Sequence, residues 1–145
     1  NKMYVVVNLG EIQFCYPDKD PECPQEGGYF YNTNVAFDRN GDIVARYRKA
    51  NLYYELFDYP QKEAIYFDTD FGVRFGMIIC FDILWRSPYL ELIESHGIQD
   101  IIFSTAWFDQ LPFKLCKQIM FKQRKFKSNF QFLHNIYHNI ADRKS

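Results

Sequence analysis

The most informative stretch for the fold is Phe75-Gly76-Met77-Ile78-Ile79-Cys80-Phe81-Asp82-Ile83-Leu84. An apolar run ends there in a cysteine, and an acid stands two residues after it. Such a run, bounded by turn residues, is typical of a strand buried on both faces of a sheet. The pattern predicts a central strand over Val73–Cys80, whose carboxyl end is where ligands gather in open α/β sheets. Cys80 is therefore a candidate nucleophile. The alternative is a small core residue, since free cysteine is among the most buried residue types.

Strand-like segments precede this run. Met3–Asn8 is apolar with a β-branched centre, and Tyr29–Asp38 alternates between polar and apolar residues. Asn40-Gly41 then gives a strong hairpin signal, and Asp42–Lys49 returns as the partner strand. Ala64–Thr69 adds a short strand before the central one.

A strand–helix–strand unit follows the cysteine. Pro88 at a first helical position, with Ser87 as N-cap, predicts a helix over Pro88–Ser95 that Gly97 ends. Asp100–Ser104 is the next buried strand. This order predicts a sheet whose functional edge carries Cys80.

The bulk composition indicates one folded domain. The chain has 145 residues, of which 48% are hydrophobic and 19% aromatic, and this content argues against disorder. It contains no run of 18 apolar residues, the length expected of a membrane-spanning helix. Residues 1–7 are interpreted as a strand rather than a secretory leader.

The net charge of −1 hides an asymmetry. Residues 1–113 contain 9 Lys and Arg against 17 Asp and Glu, whereas residues 114–145 contain 8 against 1. Leu111–Leu133 is compatible with one long helix, or with a shorter helix followed by a strand from Asn129. The cations of residues 114–127 form a solvated helix face or, alternatively, a polyanion-binding surface.

Two of the four cysteines, Cys15 and Cys23, flank a polar, proline-containing loop. This arrangement is compatible with a local disulfide, which would indicate an oxidising compartment, or with two free thiols. A zinc site is disfavoured, because no second Cys or His pair stands at ligand spacing.

A lysine marks the end of the predicted strand Asp42–Lys49. A buried ammonium lowers the pKa of a nearby thiol and can donate to an oxyanion, so Lys49 is a candidate partner for Cys80. The alternative is a solvated strand-end charge, like that of Arg46 and Arg48.

In this order the motifs resemble the carbon–nitrogen hydrolase (nitrilase) superfamily, and most closely its vanin and biotinidase branch. The resemblance runs from about Met3 to Pro112. The matching segments lie around the lysine, before and around the cysteine, and after the next strand: Arg46–Leu52, Thr69–Gly72, Phe75–Leu84 and Thr105–Trp107, together with the Cys15/Cys23 loop and Tyr31–Thr33.

The resemblance implies an α/β fold that forms part of a four-layer αββα sandwich and is incomplete at both ends. Residues 1–113 are expected to form the partial core of the domain. Residues 114–145 are expected to be a divergent, basic C-terminal segment of the same domain.

The resemblance also implies site roles. Cys80 is expected to be the nucleophile and Lys49 the oxyanion stabiliser, with Glu55 supporting the lysine. The backbone N–H of Phe81 is expected to contribute to the oxyanion hole, and Trp107 to line the substrate pocket. The resemblance favours a disulfide between the two loop cysteines.

The implied activity is hydrolysis of a small linear, non-peptide amide such as pantetheine through a cysteine acyl-enzyme. A biotinyl amide is the alternative substrate, and a non-catalytic truncated paralogue is the alternative to an enzyme. The general-base glutamate is expected outside this chain, because Glu11 follows the first predicted strand and does not match the motif. These 145 residues alone are therefore expected to be inactive.

The partner is a small-molecule amide; no metal, organic cofactor or nucleic acid is implied. The expected location is extracellular or on the outer membrane surface.

Overall fold

The structure, a computed structural model, describes residues 2–106 and the backbone of residues 129–134. Within these residues, strands dominate and are joined by turns and one short helical region. The strands are β1 (Val5–Phe14), β2 (Gly28–Phe37), β3 (Ile43–Arg48), β4 (Tyr66–Asp68), β5 (Arg74–Ile79), β6 (Asp100–Thr105) and β7 (Asn129–His134). The expected α/β class is confirmed.

The first sheet has the order β1-β2-β3, and both pairings are antiparallel. The predicted hairpin joins β2 to β3. Gly41 has a φ of 93°, the left-handed conformation that glycine adopts without steric cost. The Asp38 carboxylate accepts the backbone N–H groups of Asn40 at 2.8 Å and Asp42 at 3.0 Å, which fixes the turn.

The second sheet has the order β4-β5-β6-β7. β4 is antiparallel to β5, whereas β5, β6 and β7 are parallel to one another. β5 is therefore an interior strand, as its apolar run predicts, and the last four of its residues are buried. The parallel arrangement brings the carboxyl ends of β5 and β6 to the same edge, where Cys80 follows β5.

The connection between β5 and β6 differs in detail from the predicted helix. A 3-10 turn (Cys80–Leu84) and a π-type turn (Arg86–Leu90) precede the short helix α1 (Glu91–Glu94). Ser87 stays extended, but its hydroxyl bonds the Glu91 carboxylate at 2.9 Å instead of capping a backbone N–H. Gly97, with a φ of 65°, ends the helical region as predicted.

Two hydrophobic cores define the layers. One lies between the sheets, and its buried members are Ala36, Tyr47, Phe67, Met77, Ile79 and Ile102. The other lies between the second sheet and the helical connection, with Ile78, Ile83, Tyr89, Leu92, Ile98, Ile101 and Phe103. The described residues thus form three consecutive layers, namely sheet, sheet and helix.

Two expectations are corrected. β1 extends to Phe14, so Glu11 lies inside a strand rather than after it, because the pairing with β2 continues to Gly28. A single helix over Leu111–Leu133 is wrong for residues 129–133, which form β7 beside β6. The alternative of a strand from Asn129 is confirmed, and residues 111–128 lie outside the described residues.

Candidate active site

Cys80 occupies the abrupt change from strand to turn. It has a φ of 46°, a left-handed conformation that costs a non-glycine residue of order 1–3 kcal/mol and that the surrounding structure must hold. Its Sγ lies 3.9 Å from the carbonyl oxygen of Ala106, just beyond β6. A sharp strand-to-turn bend of this kind exposes the side chain at the end of its strand, where a ligand in a neighbouring cleft can reach it.

Asp82 holds this bend. Its fully buried carboxylate accepts the Ile79 N–H at 3.0 Å and the Tyr47 hydroxyl at 2.7 Å through Oδ2. Through Oδ1 it accepts both the backbone N–H of Asn51 at 2.9 Å and its side-chain Nδ2 at 3.0 Å. Tyr47 and Asn51 flank Lys49, so one buried acid connects the segment that carries the lysine to the turn that carries the cysteine.

Burial affects the titration of this network. It raises the pKa of Asp82, although the hydrogen bonds from Tyr47, Ile79 and Asn51 oppose the change. Burial also raises the pKa of Tyr47, and the neighbouring Asp82 carboxylate adds to the increase. Tyr47 is therefore a firm hydrogen-bond donor at neutral pH.

Lys49 is a buried ammonium with a carboxylate partner. Its side chain is only 1% exposed, and its Nζ lies 2.5 Å from Glu55 Oε2. An unpaired buried charge is strongly unfavourable, and the Glu55 carboxylate supplies the opposite charge here. The Glu55 carboxylate also accepts the Tyr53 N–H at 3.2 Å and Asn32 Nδ2 at 2.9 Å.

A cleft of about 280 Å³ opens beside Cys80 and Glu55. The first sheet and the following loop form one wall, and the ends of β5 and β6 form the other. The lining residues are Asn8, Leu9, Gly10, Asn32, Glu55, Phe57, Ile79, Cys80, Ser104, Thr105 and Ala106. The volume lies near the lower limit for small-molecule sites, so the cleft suits a small ligand or a slender part of one.

The thiol has opposing neighbours. Burial raises the pKa of Cys80, whereas the Lys49 ammonium and the Thr105 side chain lower it, and the Glu55 and Asp82 carboxylates raise it. The buried hydroxyls of Ser104 and Thr105 line the cleft, and neither makes a hydrogen bond within the usual distance and angle limits. Both can therefore still donate or accept a hydrogen bond. With its pKa above the ordinary value, the thiol needs a base to become a nucleophile at neutral pH.

The structure brings Cys80, Glu55 and Lys49 into one connected site. Phe81 is the second residue of the 3-10 turn that begins at Cys80, and its ring lies 5.1 Å from the Tyr53 ring between centroids. Trp107, the expected pocket residue, lies outside the described residues. Cys15 and Cys23 form a disulfide, and neither cysteine lines the cleft.

Sequence reasoning missed several polar members of the site. Asp82 stands two residues after the cysteine, but its hydrogen bonds come from Tyr47 and Asn51, which are distant in sequence. Asn32 and Asn34 alternate along β2 and face the second sheet, a pattern that could have been noticed. Among the described residues, no cluster of three or more His, Cys, Asp or Glu residues could hold a metal ion.

Comparison with known proteins identifies the chain's family and relatives. Residues 1–131 match the carbon-nitrogen hydrolase family. Biotinidase of Homo sapiens is 46% identical over 112 residues, covering 76% of this chain and 20% of that protein. Vanin-like protein 1 of Drosophila melanogaster is 48% identical over 113 residues, covering 76% and 20%. Pantetheinase of Sus scrofa is 44% identical over 115 residues, covering 77% and 22%.

Solved structures agree in fold. Nit3 of Saccharomyces cerevisiae, a member of the nitrilase superfamily, has a TM-score of 0.61 and 24% identity, covering 85% of this chain and 41% of that chain. A cysteine-to-alanine mutant of the Nesterenkonia AN1 amidase has a TM-score of 0.62 and 17% identity, covering 85% and 42%. The chain spans about a fifth of the length of these curated relatives. It belongs to the carbon-nitrogen hydrolase family, of whose domain it is a part.

Proposed function

We propose that these residues are the nucleophile- and lysine-bearing part of an amidohydrolase that cleaves a small linear, non-peptide amide such as pantetheine. The observation that carries the proposal is that Cys80 and Glu55 line the same cleft, and that the Glu55 carboxylate pairs with the buried Lys49. Membership of the carbon-nitrogen hydrolase family supports the reaction class. Pantetheinase and biotinidase relatives support the substrate class.

In the first step, Cys80 Sγ attacks the carbonyl carbon of the amide. The thiol proton passes to a general base, the new C–S bond forms, and the carbonyl π electrons move to oxygen. Lys49 Nζ and the backbone N–H of Phe81 donate to this oxyanion. Such donors act most strongly when they are fixed before the charge develops, which the buried Lys49–Glu55 pair favours.

In the second step, the tetrahedral intermediate collapses. The C–N bond breaks, the leaving amine takes the proton from the base, and a thioester remains on Cys80. A water molecule then gives its proton to the base and attacks the thioester carbon. Release of the carboxylic acid returns the proton to Cys80.

The general base is proposed to come from outside this chain. Among the described cleft-lining residues, Glu55 is the one carboxylate, and it is already bound to Lys49, Tyr53 and Asn32. Glu11 is bound to Arg48 and Thr33 instead, and it does not line the cleft. This 145-residue chain is accordingly proposed to turn over poorly by itself, because loss of a general base costs about 10²–10⁴-fold in rate.

A biotinyl amide is the second candidate substrate. The observation in its favour is the group of biotinidase relatives from several vertebrates, which share 44–50% identity with this chain. The residues of the cleft described above fit the reacting amide in both cases. The two substrates differ in the acyl group, and this group extends beyond the roughly 280 Å³ of the described cleft.

An extracellular or outer-surface location is proposed with this function. The disulfide between Cys15 and Cys23 supports it, because disulfides persist in oxidising compartments. Within the described residues, no helix has the length and apolar character needed to cross a membrane. The basic residues 114–127, on which the polyanion-binding alternative rests, lie outside the described residues.

Trapping of the acyl intermediate tests the proposal. The protein is expressed from its natural coding sequence and mixed with pantetheine or a biotinyl amide. After an acid quench and digestion, the mass of the peptide that contains Cys80 is measured by mass spectrometry. We expect a pantothenoyl thioester on Cys80 and amine release that is lost in Cys80→Ala but kept in Cys116→Ser. Amine release that survives Cys80→Ala contradicts the mechanism. If only a biotinyl adduct forms, the second substrate is indicated. If neither an adduct nor a released amine is detected, the non-catalytic paralogue is indicated.

A further inference from the structure

A chain of side-chain amides crosses the first sheet and ends on Glu55. Asn8 on β1 donates through Nδ2 to Asn32 Oδ1 at 2.9 Å and to Asn34 Oδ1 at 3.1 Å. Asn32 on β2 in turn donates through Nδ2 to Glu55 Oε1 at 2.9 Å. Each amide therefore has one orientation, because Asn32 can present its NH₂ group to Glu55 only when its carbonyl oxygen faces Asn8.

The amide chain contacts a carboxylate that is more exposed than its lysine partner. Glu55 lies in the irregular segment after β3 and its side chain is 26% exposed, whereas Lys49 is almost completely buried. Lys49 and the Tyr53 N–H both bind Oε2, so among the described side chains Asn32 is the donor that holds Oε1. Strands β1 and β2 are paired along their whole length, which makes Asn32 a rigid support.

We propose that Asn32 is a positioning residue of the active site: it holds the Glu55 carboxylate on Lys49 and so determines the charge that Cys80 experiences. Asn8 acts one step further away by orienting the Asn32 amide. This inference rests on the proposed function, because it assigns a support to the lysine and cysteine of that site.

The surroundings of Cys80 set the sign of the effect. The Lys49 ammonium lowers the pKa of the thiol, and the carboxylates of Glu55 and Asp82 raise it. Across the cleft from Cys80, strands β1 and β2 contribute the neutral side-chain amides of Asn8 and Asn32. If Glu55 loses its Asn32 donor and moves towards water, the thiol loses part of an opposing charge and becomes more acidic. A new carboxylate at position 32 has the reverse effect.

The test measures the rate at which iodoacetamide alkylates Cys80, as a function of pH, in a Cys116→Ser background. Since Cys15 and Cys23 are joined, Cys80 is then the remaining free thiol of these 145 residues. We expect Asn32→Ala to speed alkylation about threefold at neutral pH and Asn32→Asp to slow it by a similar factor, because the rate follows the thiolate fraction. Asn32→Ser keeps a polar group but cannot reach Glu55, so it should also speed alkylation, and it replaces Asn32→Ala if the alanine variant fails to fold.

Two controls separate positioning from a general loss of stability. Asn40→Asp makes the same chemical change in the exposed β2–β3 turn and should leave the rate unchanged. Asn32→Ala should add nothing in a Glu55→Gln background, because Asn32 is proposed to act through Glu55. Rate changes of the same sign in Asn32→Ala and Asn32→Asp, or an Asn32→Ala effect that persists in Glu55→Gln, overturn the inference. Absence of an acyl intermediate on Cys80 would instead count against the proposed function alone.

Discussion

The Tyr47 hydroxyl donates a 2.7 Å hydrogen bond to the Asp82 carboxylate, and both groups are buried where β3, which Lys49 follows, meets the turn that carries Cys80. The bond joins the first sheet, two residues before Lys49 in the sequence, to the turn that carries Cys80. The same hydroxyl accepts the Ala50 N–H at 3.2 Å, one residue beyond the lysine. Tyr47 thus serves both as a core side chain and as a connector of the site.

Tyr47→Phe tests this connection. The change keeps the ring in the core but leaves a buried carboxylate with one donor fewer, so we expect a loss of about 1–3 kcal/mol in the free energy of unfolding. Urea denaturation measures it. Tyr54→Phe is the matched control, because Tyr54 is 95% exposed and the change there should be close to neutral. Equal stabilities for the two variants would contradict a supporting role for the Tyr47 hydroxyl.

Glu11 gives a prediction about pH. The hydrogen bond from Arg48 is the largest influence that lowers the pKa of Glu11 below its ordinary 4.5, and the Thr33 hydroxyl contributes in the same direction. A carboxyl whose pKa is lower in the folded state stabilises the fold above its ordinary pKa, and this stabilisation is lost as the pH falls through the folded value.

We therefore expect Glu11→Gln to lower the free energy of unfolding by about 1–2 kcal/mol at neutral pH. The difference from the wild type should shrink below about pH 4. Chemical denaturation across this range is the measurement, with Asp68→Asn as control. Asp68 also pairs with an arginine, but its side chain is 65% exposed and the pair should contribute little. A Glu11→Gln difference that grows on acidification is the contradicting outcome.

Gly76 gives a prediction about packing. A Cβ at this position would lie 3.0 Å from both Ile101 Cδ1 and Leu92 Cδ1 and 3.1 Å from Ile98 Cγ2. These three side chains belong to the core between the second sheet and the helical connection. Gly76→Ala should therefore destabilise the fold by about 1–3 kcal/mol through overpacking, as a thermal melt would record. A variant as stable as the wild type would mean that the three side chains rearrange freely.

The strands could be predicted from sequence because each depends on its own pattern. The apolar run before Cys80, the alternation in β2 and the Asn40-Gly41 turn are local signals, and the structure follows them within a few residues. β1 was predicted too short, because its second half carries polar and aromatic residues that only the pairing with β2 holds extended.

The site could be predicted only where a motif carried it. Cys80 and Lys49 lie in segments that resemble the family, and Glu55 follows the second of these segments by a few residues. The buried Asp82 network and the amide chain through Asn32 depend on contacts between residues more than twenty positions apart. A single acid after a cysteine, or an asparagine in a strand, gives no local indication that it is buried and fully hydrogen-bonded.

The most direct test of the account is the effect of Lys49 on the reactivity of Cys80. In the Cys116→Ser background, Lys49→Met removes the cation that lowers the pKa of the thiol. We predict that alkylation of Cys80 at neutral pH then slows by about tenfold. Arg46→Met removes a cation from β3, just before Lys49, but the exposed Arg46 side chain pairs with Glu11, so the alkylation rate of this variant should match the wild type. Equal rates for Lys49→Met and Arg46→Met would contradict a site in which the lysine acts on the cysteine.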